Sequence, residues 1–250
     1  MPDALAGLGG QAGLISLVLA ALVAGLVRGF AGFGTAMVFM PVAGQVLSPV
    51  GALITLVVID MIGPLPNVPG AWAASERRDL GRLWAGMALG LPAGLFALTR
   101  VSPEAFRWGV SGIALGLLVA LMLGLRYRGR LGAPVTLGAG AMSGFLGGLC
   151  GLAGPPVIMV YMASTLPARV VRANLLLFLM GVDLVTLVGL AVAGRMHLAM
   201  VVPGLVLVLP YLAGNVVGGR LFRPQYERIY RRVAYGIIAA SAVAGLPLFD

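Results

Sequence analysis

Residues 25–35 read GLVRGFAGFGT and residues 140–156 read GAMSGFLGGLCGLAGPP, and these two stretches decide the fold. Each is a glycine-rich interruption inside an apolar run too long to be one straight helix. The 44 residues from Ala4 to Leu47 would extend about 66 Å at 1.5 Å per residue, against roughly 30 Å of hydrocarbon. The chain must therefore break, and glycine is where it breaks at least cost, because backbone without side chains turns tightly and approaches a ligand closely. Each stretch is expected to be two helical arms meeting at an elbow, at 28–35 and 147–156.

The two stretches are related. Gly25, Gly29, Phe30 and Gly32 fall 115 residues before Gly140, Gly144, Phe145 and Gly147. Pro49 precedes Pro167 by 118, Pro92 precedes Pro210 by 118, Asp60 precedes Asp183 by 123, and Gly112-Ile113 precedes Gly236-Ile237 by 124. A repeat of this length marks a duplication. One membrane domain over 1–250 is expected, built of halves at about 1–125 and 131–250 and joined by RYRGR at 126–130. After each broken pair come three ordinary spans, near 50–71, 83–99 and 108–125, then near 173–194, 198–219 and 233–249.

Composition agrees. Of 250 residues 60% are apolar and 10% charged, with 17 basic and 8 acidic side chains, and the mean hydropathy is +1.03. A soluble domain cannot bury that much apolar surface. Uncharged runs of 24 (Ala4 to Val27), 31 (Gly29 to Ile59), 38 (Leu131 to Ala168) and 22 residues (Leu198 to Gly219) approach or exceed a bilayer's thickness. Their continuity excludes an outer-membrane barrel, whose strands alternate apolar and polar residues over about 10 positions. The fold class expected is all-α integral membrane: two inverted repeats, each a Gly-rich broken or re-entrant helix pair followed by three transmembrane helices.

All 17 basic residues are arginines, clustered at the ends of apolar runs, so the net charge of +9 is a topology signal rather than a nucleic-acid footprint. If each broken element crossed once, seven arginines would face nine. If each folds back, 13 face three, with only Arg100, Arg107 and Arg195 on the minority side and Arg28 inside the element. The second partition is the biased one, and it inverts the halves and puts both termini outside the cytoplasm. No basic n-region precedes the first apolar stretch, so a cleavable signal peptide is not expected. One cysteine, Cys150, and one histidine, His197, disfavour redox and zinc chemistry; no metal or cofactor is expected.

Inverted repeats with paired broken helices place a transporter's substrate site near the midplane. Arms beginning after Gly34 and after Gly154 would turn free N–H groups and the positive end of the helix dipole towards the meeting point, a cage for a small oxyanion. Pro155 and Pro156 suit a first turn. Candidate substrate residues are Arg28, Gly29, Phe30, Gly32, Gly34 and Thr35 at the first elbow, and Ser143, Gly144, Gly147, Gly148, Gly151 and Gly154 at the second, with Asn174 beyond it. A guanidinium in an apolar stretch calls for a cavity or a partner; Arg28 clamps sulfonate, sulfite or carboxylate oxygens, pairs with Asp60 or Asp183, or snorkels to an interface. These two acids occupy corresponding positions within spans, where desolvation favours the protonated form, so they are candidates for proton coupling or for helix anchoring. Thr35, Ser143, Asn174 and Asn215 can donate hydrogen bonds or join helices. Cys150 reads as a small buried hydrophobe, His197 as interfacial, Phe30 and Phe33 as packing or lid residues, and Gly86, Gly90 and Gly94 as a small-xxx-small contact.

VRGFAGFGTAMVFMP at 27–41, the downstream Asp60, FLGGLCGLAGPPVIMVYM at 145–162 and LPARVVRANL at 166–175 resemble the TauE/SafE family of sulfite exporters, also called the toluene sulfonate uptake permease group. The resemblance spans essentially the whole chain. It implies a multi-pass permease of the bacterial inner membrane for small sulfur-containing anions, with the family's Gly-rich motifs at Gly29 to Gly34 and Gly144 to Pro156. The departures are GFGTA at the first elbow, where many relatives carry a further glycine run, and Cys150 and Leu152 among the glycines of the second. The function expected is secondary transport, exporting sulfite, an organosulfonate or a related anion by alternating access, coupled to protons or to the membrane potential. Other readings are an anion channel, an uptake permease for another organic anion, an intramembrane enzyme with paired carboxylates and a non-transporting assembly subunit. The lipid bilayer, a small anion, protons and further copies of the chain are the partners considered.

Overall fold

The backbone breaks where the glycines are. In the computed structural model, which describes residues 10–124, 132–161, 164 and 166–248, α1 (Gly10–Ala31) ends at Gly32 and α2 (Thr35–Val46) begins after Gly34. Gly32 and Gly34 have φ of 77° and 101°, a region costly for any residue with a Cβ. The second break lies between α7 (Ala133–Cys150) and α8 (Gly154–Tyr161). Gly151 has φ of 75°, and its N–H and that of Leu152 turn back to the Gly147 and Leu146 carbonyls at 2.9 and 3.2 Å, closing the end of α7. Both expected elbows are present.

The remaining helices are α3 (Pro49–Ile62), α4 (Val68–Ala74), α5 (Arg77–Leu98), α6 (Pro103–Met122), α9 (Ala168–Val192), α10 (Leu198–Leu221) and α11 (Glu227–Ala244). Among the described residues there are helices and turns and no strands. Among the described residues six helices, α1, α5, α6, α7, α9 and α10, are long and apolar enough to cross a membrane, or up to seven spans if α3 and the bent segment Leu65–Ala74 count as one. The linker 126–130 and the chain ends lie outside the described residues.

Two expected spans differ. The stretch 50–71 is not one helix: α3 stops at Ile62, a 3-10 turn covers Leu65–Asn67, and the chain resumes bent by 47°. Pro64, Pro66 and Pro69 supply no N–H to continue the i to i−4 ladder of α3 and disfavour the α region for the residues before them, although Val68 still adopts it at the start of α4. The last span, expected near 233–249, starts at Glu227 and ends at Ala244. Its first turns carry Arg228, Arg231 and Arg232, so only the part from Val233 is apolar.

The chain forms two compact units, each drawn from both halves of the sequence. The first comprises residues 1–59, 101–122 and 197–250, holding α1, α2, most of α3, α6, α10 and α11. Within it α1 packs along α10 through glycines. A Cβ at Gly25 would strike the Tyr211 carbonyl, one at Gly218 would strike the Leu26 carbonyl, and one at Gly29 would lie 2.7 Å from the Gly219 nitrogen. Rising numbers on one helix meet rising numbers on the other, so α1 and α10 are parallel. Arg107, at the start of α6, donates from Nε to the Gly245 carbonyl just past α11 at 3.4 Å, so α6 and α11 run antiparallel.

The second unit comprises residues 60–100 and 123–196, holding α4, α5, α7, α8 and α9. Gly86, Gly90 and Gly94 of α5 meet the carbonyls of Leu137, Ala141 and Phe145, while Gly140, Gly144 and Gly148 of α7 meet those of Leu83, Met87 and Leu91. These two helices are also parallel. Small residues let backbones approach where lipid supplies no hydrophobic drive between helices. The small-xxx-small reading of Gly86, Gly90 and Gly94 holds, with α7 as the partner. On α9, Gly181 lies under the Trp84 indole and Gly189 under Leu95, so α9 runs parallel to α5. Leu83, Met87, Leu91, Val157, Phe178 and Val182 form this unit's core.

Candidate functional site

Each break exposes the start of a helix, and what surrounds that start differs between the units. In the first unit Gly34 is the N-cap of α2 and contributes no side chain, so the first-turn N–H groups receive no cap from it. Thr35, the first helical residue, is 2% exposed and shares a 3.3 Å hydrogen bond with the hydroxyl of Tyr211, itself 1% exposed on α10. Arg28 is half-buried in the last turn of α1, one turn before the break. Gly32 has open space where a Cβ would stand, whereas Gly34 faces Val27 and Ile238 at 3.2 and 3.4 Å. Phe30 is buried, its ring centroid 5.7 Å from that of Tyr230, and Phe33 lies 6.5 Å from Tyr235. Both phenylalanines are packing residues, one of the two roles expected.

In the second unit α8 begins at Gly154, where a Cβ would meet only Ile158 at 3.8 Å. Pro155 and Pro156 occupy its first turn, where the missing N–H groups break no intrahelical bond. Ser143 is wholly buried on α7, and its Oγ has no hydrogen-bond partner among the described residues. Buried hydroxyls are satisfied as a rule; Thr55, Ser111, Ser164 and Thr186 share this state with Ser143, which is the one of them beside a glycine-rich break. Cys150 is buried and directs its Sγ to the Leu146 carbonyl at 3.2 Å, in keeping with a small packing residue. His197 is exposed as the N-cap of α10.

The sequence-derived candidates thus divide by environment. Arg28, Gly32, Gly34 and Thr35 cluster at the first break, and Gly151 and Gly154 bound the second. Gly29, Gly144 and Gly148 are instead spent on helix contacts: a Cβ on Gly144 would lie 2.8 Å from the Met87 carbonyl oxygen and one on Gly148 2.7 Å from that of Leu91. Gly147 fits beneath Val182 and Ala153. Asn174 is wholly buried and fully engaged: it accepts from the Glu76 N–H at 2.9 Å and donates to the Tyr161 hydroxyl at 2.8 Å, tying α9 to the start of α5 and the end of α8. Asp183 is half-buried on α9, and Asp60 sits half-buried on α3 where the chain passes from the first unit to the second. Among the described residues no group of three His, Cys, Asp or Glu side chains could hold a metal ion.

Sequence reasoning missed Tyr211 and Tyr161, the partners of Thr35 and Asn174. Neither has a local signal: Tyr211 is 176 residues from Thr35. It follows Pro210, the landmark matched to Pro92, but the repeat gave no reason to expect a hydroxyl at the break.

Comparison with curated proteins and with solved structures gives no match. The sequence model of the family described as Sulfite exporter TauE/SafE matches residues 17–245, from the first turns of α1 to the end of α11, taking in both glycine-rich breaks. A match over nearly the whole chain shows membership, and with it an anion exporter with many membrane-crossing helices: this chain belongs to the sulfite exporter TauE/SafE family.

Proposed function

We propose that the protein is a secondary transporter that moves sulfite, an organosulfonate or a related small sulfur-containing anion out of the cell by alternating access between inverted halves. The observation that carries the reading is the family match over residues 17–245, which includes both helix breaks. An anion needs fixed donors and little competing water, and the uncapped start of α2 beside Arg28 offers both.

Arginine placement supports inversion. In the first unit α1 and α10 end, and α11 begins, where Arg28, Arg220, Arg223, Arg228, Arg231 and Arg232 gather, and Arg107 alone marks the opposite end. In the second unit α5, α7 and α9 begin at the end carrying Arg77, Arg78, Arg82, Arg169 and Arg172, opposite Arg100 and Arg195. With both arginine-rich ends cytoplasmic, α1 runs inward and its counterpart α7 outward, α10 inward and its counterpart α5 outward. The direct antiparallel contact of α6 with its counterpart α11 agrees. Both termini then lie outside a bacterial inner membrane.

In this reading Arg28, Thr35 and the α2 N–H groups hold the anion at the first break, and Ser143 with the α8 start offers a second candidate site within the second unit; Asp60 and Asp183 carry protons if transport is proton-coupled. Outward movement of an anion down the membrane potential is favourable by about 2.3 kcal/mol per charge per 100 mV, so potential alone can drive export. The test is sulfite flux into proteoliposomes, with and without a pH gradient, competed by methanesulfonate, sulfate, acetate and chloride. Selective saturable flux lost in Arg28→Ala is expected. Absence of flux from folded protein would overturn the substrate, and ohmic single-channel currents would overturn the carrier mechanism.

A further inference from the structure

The first unit's arginines are gathered at one end, and that end is built around the α1–α2 break. The Tyr230 ring lies 5.7 Å from Phe30, in the last turn of α1, and 5.8 Å from Phe222, the C-cap of α10. The Tyr230 hydroxyl donates to the Leu221 carbonyl, fixing the ring across the end of α10. Gly29 is pressed against Gly218 and Gly219 beside it. Three helix ends are thus welded by aromatic rings within one turn of the break. Arg220, Arg223, Arg231 and Arg232 stand on these same helix ends and the turn between them, and all four are exposed. The only acid in this stretch of sequence is Glu227; Glu104 is on α6, whose start lies at the far end of the unit with Arg107.

We propose that Arg220, Arg223, Arg231 and Arg232 form an oxyanion-capture surface that delivers anions to the α1–α2 break, with Phe30, Tyr230 and Phe222 as its rigid floor. This rests on the reading of that break as the transport site. Guanidinium groups match the paired oxygens of sulfite or a sulfonate. A surface of one sign raises the local concentration of the opposite ion and its rate of arrival, an effect that salt screens. A phosphate headgroup of an anionic lipid offers the same oxygen chemistry, and the test separates the two sources.

The triple substitution R220Q/R223Q/R232Q keeps side-chain length and removes charge outside the break. Sulfite flux is measured for wild type and variant in neutral phosphatidylcholine vesicles at low and high ionic strength, then in vesicles containing phosphatidylglycerol. The variant is expected to raise KM about tenfold with the maximal rate retained, and wild-type KM to rise with salt towards the variant's. A merely structural role would lower the maximal rate and leave the salt dependence in place. Equal KM and equal salt dependence in the two proteins would overturn the proposal, as would a difference seen only with phosphatidylglycerol, which would assign the surface to lipid. If wild type carries no sulfite, the transport reading fails by itself, and equilibrium sulfite and sulfate binding to detergent-purified protein decides the surface: salt-sensitive binding lost in the variant sustains it, and binding to neither protein, or equally to both, sinks it.

Discussion

Asn174 and Ser143 are both buried polar residues on helices of the second unit, yet their side chains face opposite situations. The Asn174 amide is held by the Glu76 N–H and the Tyr161 hydroxyl, so Asn174→Ala would strand two partners at once. A loss of about 2–4 kcal/mol is expected, since each orphaned buried group costs about 1–3 kcal/mol; Tyr161→Phe should cost less, about 1 kcal/mol. Denaturation of the detergent-solubilised variants reads both, and equal stability to wild type would contradict the bonding described. Ser143 makes no hydrogen bond from its side chain among the described residues. Ser143→Ala should leave stability within about 0.5 kcal/mol of wild type while raising KM for the transported anion; an unchanged KM would remove Ser143 from the site. The sequence marks both residues as polar groups in apolar runs, but their roles depend on what the fold brings to them from another helix.

Among the elements, the parallel glycine-lined pairs α1 with α10 and α5 with α7 determine how closely the backbones pack. Gly90→Ala would drive a methyl into the Ala141 carbonyl, with backbone on both sides and nothing free to move. A loss of more than about 3 kcal/mol, or failure to fold, is expected. Gly112→Ala is the control: the same substitution inside α6, with nothing within 4 Å of the new methyl, should gain about 0.5–1 kcal/mol from helix propensity. Thermal unfolding of the two variants side by side checks the contrast, and similar shifts would mean these helices are not in the register seen here. Glycine spacing every fourth residue was visible in the sequence. Which helix filled the groove was not, because the partner lies in the other half of the chain. The same is true of the bend after Ile62: three prolines mark it, but a continuous apolar pattern hid it.

For the whole molecule, the proposed topology puts the arginine-rich helix ends in the cytoplasm. On a Cys150→Ala background, single cysteines at Arg78 and Arg223 should resist a membrane-impermeant maleimide added to intact cells, and cysteines at Arg100 and Arg195 should react. Labelling of Arg223→Cys and Arg195→Cys together from outside would put the two arginine-rich ends on opposite sides and sink the inverted-repeat reading. If Asp60 and Asp183 carry protons, Asp60→Asn and Asp183→Asn should abolish the dependence of flux on an imposed pH gradient while potential-driven flux persists. A response to the gradient surviving in both would leave the two acids as structural.

The sequence by itself determined the membrane class, the helical content and the two breaks, because these follow from local quantities: run length against bilayer thickness, glycine where φ turns positive, and charge at the ends of apolar runs. Only the tertiary structure decided that the halves interleave, with α1 of one against α10 of the other and α7 against α5, and so which glycines are spent on packing and which remain open at a break. Pairing in lipid is chosen by the fit of one backbone to another. That fit brings together residues distant in sequence, Gly86 with Leu137 and Gly25 with Tyr211, and no local pattern encodes it.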